Sequence, residues 1–336
     1  MNSRETLNPK SPETALSTLV TKVGIYRLLC NINFNGSVPV NRDYLGDSQG
    51  DRYNPKLLDQ RFKKSRILCE NPDLDCKYEE GHIDYIFTKP LLFLPEKNIV
   101  KINSPYECTY YNPEAALMVV DIRNQMDLVF GIGRVSVGLY GSQNTTLNHA
   151  NSDFDFVITT DSEIRELVVK EFKYYVENIG FVSPGQLLHK HTRRYSKELE
   201  ISEAAAAYLA KKRNRWVKNQ IGLSLQCLTF SNLEDFFQDI FNSSKENYNI
   251  TPITTYCKII NSSDCFNRFK KWQLEINEQI ITAFSFSHRH QGMGSEAKAE
   301  DTYSLRAYKI ETSEENYIFL KDENSYILPS NLINLN

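Results

Sequence analysis

The chain has 336 residues, which is enough for two or three domains with sizeable cores. Its formal net charge of −3 excludes a protein that binds polyanions over its whole surface, so any contact with nucleic acid has to come from a local basic patch. The seven cysteines include no Cys-x-x-Cys pair, and no stretch reaches the roughly 18 apolar residues of a membrane span, so we expect a cytoplasmic protein without a zinc knuckle or membrane segment.

The N-terminal third shows helical spacing first and strand-like runs later. Ser11-Pro12-Glu13 has the form of a helix start, with proline at the first helical position. Apolar residues follow at intervals of three and four, so the sequence predicts a helix over residues 12–30. The other predictions here are a loop at 31–55, a second, basic helix at 56–69, and strands at 84–87, 91–94 and 98–102. We therefore expect an N-terminal α+β region over residues 1–108.

The central third, residues 109–245, has the order helix, strand, turn, strand, helix. The predicted elements are a helix that begins at Asn112-Pro113-Glu114, strands at 134–140 and 154–159, and a helix from Ser162 to residue 179 that Gly180 closes. Three further elements are predicted after these: a helix at 203–217 capped by Ser202, a strand at 223–230 and a helix at 234–241.

The C-terminal third, residues 246–336, is predicted as a helix followed by a small β unit. Residues 250–280 carry Phe269, Trp272 and Ile276 at helical spacing, which indicates a helix. Alternating apolar runs then predict strands at 280–286, 303–310 and 317–320.

One segment of the central third combines a glycine turn with two carboxylates. Gly141 and Ser142 end one apolar run, and Asp153 and Asp155 stand two residues apart in the next. Side chains at i and i+2 of a strand project from the same face, so the two carboxylates should lie side by side. Such a pair repels unless a cation lies between its members, and hard oxygen ligands suit Mg²⁺. Gly141 can adopt backbone angles that let a triphosphate approach the main chain.

This combination resembles the signature of the DNA-polymerase-β-like nucleotidyltransferase superfamily. The resemblance implies an α+β protein whose core is a mixed sheet with helices on one face. It also implies that Asp153 and Asp155 hold Mg²⁺ or Mn²⁺ and that Gly141 and Ser142 bind the phosphates of a nucleoside triphosphate. The implied reaction transfers a nucleoside monophosphate to a hydroxyl acceptor and releases pyrophosphate.

The third acidic residue of that family is not evident. The strand after the core helices offers Ser224 and Gln226 to the metal side, and we predict that the neutral Gln226 takes the third catalytic position. Three alternatives stay open. Glu198 or Glu200 supplies the carboxylate, the acceptor hydroxyl is activated by one metal or by His191, or the protein is a catalytically silent nucleotide-binding sensor or scaffold.

Basic residues that precede the third strand are candidates for phosphate or acceptor contacts. The predicted nucleotide-binding residues of this group are Arg193, Arg194, Lys212 and Arg215, beside Arg213. Residues 193–195 and 212–216 also resemble a group of uncharacterised predicted nucleotidyltransferases, in which the core lies between an N-terminal α+β region and a small C-terminal β unit. The basic run at 211–218 favours a phosphate-bearing acceptor such as RNA. The base, the acceptor and the oligomeric state stay open.

Overall fold

The computed structural model describes most of the chain in segments. The described residues are 16–29, 33–46, 52–54, 60–64, 81–106, 113–145, 147, 152–183, 185–212, 214–219, 221–230, 233–298, 300–321 and 324–333. They form three sheets and five α-helices, so the predicted α+β class is confirmed. The chain divides into two compact units. The first contains Met1–Phe181, Lys218–Gln226 and Phe230–Phe241, and the second contains Val182–Val217, Cys227–Thr229 and Asn242–Asn336.

The N-terminal part of the first unit is an eight-stranded sheet. Its strands are β1 (Thr18–Val20), β2 (Gly24–Leu28), β3 (Ser37–Gly46), β4 (Arg52–Asn54), β5 (Gln60–Lys64), β6 (His82–Ile86), β7 (Lys89–Pro95) and β8 (Lys101–Asn103). Neighbouring strands follow the order β4-β5-β3-β2-β1-β8, and β7 pairs with both β3 and β6. Leu19, Tyr26, Leu28, Val40 and Leu94 lie in its apolar core.

The helix predicted at 12–30 is wrong over its described residues, which form β1 and β2. Thr21 lies in the turn between these strands, where its hydroxyl accepts hydrogen bonds from the Val23 and Gly24 amides and donates to the Gly24 carbonyl. The predicted helical spacing arises because two short apolar strands, separated by a tight turn, also place apolar residues three and four apart.

Two neighbouring predictions in this part of the chain are also wrong. The predicted loop at 31–55 contains β3, whose apolar residues pair with β2 and β7. The described part of the predicted basic helix at 56–69 is the strand β5, and the rest of that prediction lies outside the described residues. The predicted strands at 84–87 and 91–94 are confirmed as β6 and β7.

The central sheet has the strand order β11-β12-β10-β9. Its strands are β9 (Val135–Tyr140), β10 (Phe154–Thr160), β11 (Arg215–Lys218) and β12 (Ile221–Thr229), and the helices of the first unit are α1 (Pro113–Phe130), α2 (Arg165–Asn178) and α5 (Glu234–Ser243). The predicted order of helix, strand, turn, strand and helix is confirmed. Gly180 follows α2 at a φ of +91°, as predicted for a helix end, but Ser162 does not cap this helix, because α2 begins three residues later.

The second unit packs two helices onto a closed sheet. Its helices are α3 (Gly185–Leu199) and α4 (Glu203–Lys211), and its strands are β13 (Asn249–Asn261), β14 (Lys270–Ile276), β15 (Gln279–Ser285), β16 (Tyr303–Glu311), β17 (Asn316–Phe319) and β18 (Tyr326–Pro329). The order is β13-β14-β15-β17-β16-β18, and β13 also pairs with β16, so the first five strands close into a ring. Residues of α3, α4 and the ring share one core.

The helix predicted at 250–280 is wrong, because this range forms β13 and β14. Residues 270, 272, 274 and 276 of β14 are all buried and alternate with half-buried ones, which is the period of a strand. Phe269, Trp272 and Ile276 match helical spacing because Phe269 is buried just before β14, out of step with the alternating buried positions of the strand. The predicted strands at 280–286, 303–310 and 317–320 are confirmed as β15, β16 and β17.

The helix predicted at 203–217 begins correctly but is too long. The Ser202 hydroxyl accepts a hydrogen bond from the Ala205 amide at 3.2 Å, which is the predicted N-cap. The helix α4 then ends at Lys211, and β11 starts four residues later with the buried Trp216 in its middle.

Candidate active site

The two aspartates stand at the start of β10, with aromatic side chains on the opposite face. Asp153 immediately precedes the strand and is exposed, while Asp155 is half-buried. Phe154 and Phe156 are fully buried, and Phe156 packs against Phe172 of α2 with ring centroids 5.4 Å apart. The alternation predicted from the sequence therefore positions both carboxylates on the same, more open face of the sheet.

The neighbouring strand β12 holds each carboxylate with one hydrogen bond. The Gly222 amide donates to Asp153 Oδ1 at 3.0 Å, and the Ser224 hydroxyl donates to Asp155 Oδ1 at 2.6 Å. A Cβ atom on Gly222 would lie 2.6 Å from Asp153 Oδ1, so only glycine leaves the carboxylate its place. Sequence reasoning missed the role of Gly222, since a glycine inside a strand pattern indicates only a close approach of some other group.

Gly141 lies at the end of β9, next to the aspartates. Tyr140 is paired with Asp155 in the β9–β10 register, and Gly141 follows it with a φ of +74°. A Cβ atom on Gly141 would lie 3.1 Å from Asp155 Oδ2. Both the backbone angle and the close approach therefore require glycine here. Ser142 is half-buried and lies in the short 3₁₀ helix Gly141–Asn144, where its carbonyl accepts from the Thr145 amide at 3.3 Å.

Gln226 lies further along β12 and contacts Tyr140. Its Nε2 donates to the Tyr140 hydroxyl at 2.8 Å, and its buried Oε1 has no hydrogen-bond partner within the described part of the chain. The β12 residue that bonds to Asp155 is Ser224. Gly222, Ser224 and Gln226 are all neutral, so β12 brings no third carboxylate to this face.

Arg27 of β2 is a charged neighbour of this site that sequence reasoning missed. Its guanidinium forms an ion pair with Asp43, and its Cζ lies 5.2 Å from the centroid of the Tyr140 ring. Burial lowers the pKa of Arg27, but Asp43, Tyr140 and Asp155 raise it more, so the group is held firmly in its charged form. No local pattern could have identified Arg27, because 113 residues separate it from Tyr140 in the chain.

The basic residues predicted to bind nucleotide all lie in the second unit. Arg193 and Arg194 are exposed on α3, Lys212 is the residue after α4, and Arg215 is exposed at the start of β11. The further candidate Arg213 lies outside the described residues. The Lys212 ammonium lies 2.9 Å from Glu296 Oε1 and donates to the Ser295 hydroxyl at 2.9 Å. Lys212 is therefore engaged inside its own unit.

The alternative acidic residues also belong to the second unit. Glu198 Oε1 accepts from Arg194 Nε at 2.8 Å and lies 3.2 Å from Arg289 Nη2. Glu200 is exposed just after α3, at a φ of +53°. His191 is half-buried within α3. Glu198 is thus shared by two guanidinium groups, whereas Glu200 carries an open carboxylate.

The carboxylate pair is the part of this site suited to a hard cation. Among the residues that the structure describes, no group of three or more His, Cys, Asp and Glu side chains is arranged to hold a metal ion. Two aspartates nevertheless suffice for Mg²⁺, which commonly binds one or two carboxylates and takes its remaining ligands from water and phosphate. Because Gly141 has no side chain, no Cβ atom lies 3.1 Å from Asp155 Oδ2, where it would crowd the carboxylate.

No described helix has the length and apolar character needed to span a membrane. Comparisons of the chain with models of protein families, with curated proteins and with solved structures return no match.

Proposed function

We propose that the first unit is a metal-dependent nucleotidyltransferase with a polymerase-β-type core, which moves a nucleoside monophosphate from a nucleoside triphosphate to a hydroxyl acceptor. The observation that carries the proposal is the junction of β9 and β10. Asp153 and Asp155 occupy one face there, and Gly141, with its φ of +74°, stands against Asp155.

Each residue of this junction has a task in the proposed reaction. Asp153 and Asp155 would hold Mg²⁺ or Mn²⁺, which when bound neutralises charge on the phosphate oxygens. The glycine backbone at Gly141 admits the triphosphate, and Ser142 contributes a hydroxyl and an amide to the phosphates. Gly222 and Ser224 hold the carboxylates in orientation through their hydrogen bonds.

The second part of the proposal concerns the residues that contact and activate the acceptor. Arg193, Arg194, Lys212 and Arg215 are proposed contacts to the nucleotide or to a phosphate-bearing acceptor such as RNA. Gln226 is the proposed third residue of the site, where its buried Oε1 can accept a hydrogen bond but cannot remove a proton at neutral pH. Removal of the acceptor proton would then depend on the metal site, or on a residue such as His191 or Glu200.

One observation favours a second candidate function, a silent nucleotide-binding sensor. The three β12 residues near the aspartates, Gly222, Ser224 and Gln226, carry no negative charge. A two-carboxylate site can hold one cation with its nucleotide without completing the transfer. This candidate predicts metal-dependent binding of nucleotide without release of pyrophosphate.

The test is a transfer assay with matched aspartate variants. The wild-type protein is incubated with each α-labelled nucleoside triphosphate, with Mg²⁺ or Mn²⁺, with and without total RNA as acceptor. We expect label transfer and pyrophosphate release in the wild type and a loss of at least about a thousandfold in Asp153→Ala/Asp155→Ala. Asp161→Ala is the control, because Asp161 follows the far end of β10 and pairs with the exposed Arg134.

The outcomes separate the two candidate functions. Transfer that is lost in the double variant and kept in Asp161→Ala supports the enzyme. Nucleotide binding that needs the aspartates, without any transfer, supports the sensor. If the wild type and the double variant behave alike in both label transfer and nucleotide binding, the enzyme and the sensor are both overturned.

A further inference from the structure

Arg27 places a positive charge on the N-terminal sheet, facing the junction of β9 and β10. Strand β2 pairs with β1 and β3, and in these registers Arg27 stands opposite Thr18 and Asn41. About a fifth of its side chain remains exposed to solvent. The buried Nε has no hydrogen-bond partner within the described residues, although the guanidinium is paired with Asp43.

The position of Arg27 relative to Tyr140 brings this charge to the candidate site. The guanidinium carbon lies 5.2 Å from the Tyr140 ring centroid. Tyr140 is the register partner of Asp155 and the residue before Gly141. Arg27 therefore stands next to the place where the proposed phosphates would approach the main chain.

The negative charge that would collect at this junction when a triphosphate binds favours a second cationic group besides a metal ion. Asp153 and Asp155 are two carboxylates at the junction, and a triphosphate brings further negative charge to it. One divalent ion offsets only part of this charge, and arginine is suited to phosphate because its planar fork donates two parallel hydrogen bonds. The buried Nε–H of Arg27 has no partner among the described residues and is one donor of this group, beside the terminal nitrogen that pairs with Asp43.

We propose that Arg27 contacts the polyphosphate of the ligand held at Asp153 and Asp155, so that the N-terminal sheet forms part of the nucleotide site. This inference rests on the proposed function, since it uses the same ligand. Arg27 could instead have a purely structural role, in which its ion pair with Asp43 only connects β2 to β3. That role depends on the ion pair, so it predicts that replacing Asp43 has the same effect as replacing Arg27.

The experiment measures polyphosphate binding by calorimetry, with inorganic tripolyphosphate and ATP as probes, in EDTA and then in Mg²⁺. We expect Arg27→Met to weaken the affinity for tripolyphosphate about tenfold to a hundredfold in both conditions. Arg27→Lys keeps the charge without the fork and should lose less. Asp43→Asn should keep or raise the affinity, because it removes a carboxylate that competes for the guanidinium. Arg134→Met, which removes an exposed arginine paired with Asp161, should change nothing.

Each outcome decides between the two roles of Arg27. An Arg27→Met protein that binds like the wild type overturns the inference, and so does an Asp43→Asn protein that loses as much affinity as Arg27→Met. If Arg27→Met does not unfold cooperatively, Arg27→Lys and Asp43→Asn decide in its place.

The binding data on the Arg27 variants, compared with the label-transfer assay, test the role of Arg27 and the proposed enzyme independently. Binding that depends on Arg27, without label transfer in the assay above, upholds the inference and rejects the enzyme. Transfer activity with binding that is independent of Arg27 upholds the enzyme and rejects the inference. A wild-type protein that binds neither probe, with or without Mg²⁺, overturns both.

Discussion

The two units differ in where their strands place charged residues. In the first unit, Asp153 and Asp155 stand at a strand end, where a cation can reach them and β12 orients them. In the second unit, Lys270 begins β14 inside the closed sheet and is 1% exposed. Its ammonium donates to the Arg268 carbonyl at 3.0 Å. A charge at an open strand end is available to a ligand, whereas a charge in a closed core has to be neutralised by the protein itself.

The pKa of Lys270 shows how the second unit neutralises this buried charge. Burial, with a smaller contribution from Arg268, lowers the pKa to about 7 from its ordinary value of 10.5. As the pH falls from 10.5 to about 7, the unfolded chain takes up a proton that the folded unit does not. The free energy of unfolding therefore decreases over this window and rises again as the pH is increased.

The largest expected effect comes from removing this buried amine. Lys270→Met should raise the free energy of unfolding of the second unit by about 3 kcal/mol at pH 7 and abolish its contribution to the pH dependence between 7 and 10. Thermal and urea unfolding at a series of pH values would measure both. Lys271→Met is the matched control, because Lys271 is the next residue of β14 and is not among its buried ones. A less stable Lys270→Met protein would show that the amine stabilises the core.

The next effect tests how β12 orients the aspartates. Gly222→Ala places a methyl group 2.6 Å from Asp153 Oδ1, so the carboxylate has to move. We expect label transfer or metal-dependent nucleotide binding to fall about tenfold to a hundredfold, which corresponds to about 1.4–2.7 kcal/mol. Gly36→Ala is the control for a general loss of stability, because it strains the backbone at a φ of +75° without bringing its methyl group within 4 Å of any atom. If transfer and binding are unchanged in Gly222→Ala, Gly222 does not contribute to the site.

The smallest effect concerns the helices that cover the closed sheet. Ser202→Ala removes the hydroxyl that accepts from the Ala205 amide and donates to the Leu332 carbonyl. The free energy of unfolding should fall by about 1 kcal/mol. Ser202→Asp retains a capping acceptor and should lose less. Chemical denaturation followed by far-ultraviolet circular dichroism would measure the difference, and equal losses in both variants would contradict the capping role.

Prediction from the sequence succeeded where a residue pattern is compatible with only one type of secondary structure. Strands at 134–140 and 154–159 lie between clear turns, and the helix that Gly180 closes has a glycine where a left-handed residue is needed. It failed at residues 12–30 and 250–280. Short apolar runs joined by turns share helical spacing there, and only strand pairing distinguishes the two.

The candidate site shows the same division. The alternation of Asp153 and Asp155 with buried phenylalanines follows from the period of a strand, and the lack of a side chain permits the backbone angle of Gly141. These properties are local, so the sequence by itself determined them. The partners of the carboxylates, Gly222 and Ser224, lie 69 residues further along the chain, and Arg27 comes from another sheet. Only the tertiary structure decided them, because contacts between distant segments depend on how whole sheets pair and pack.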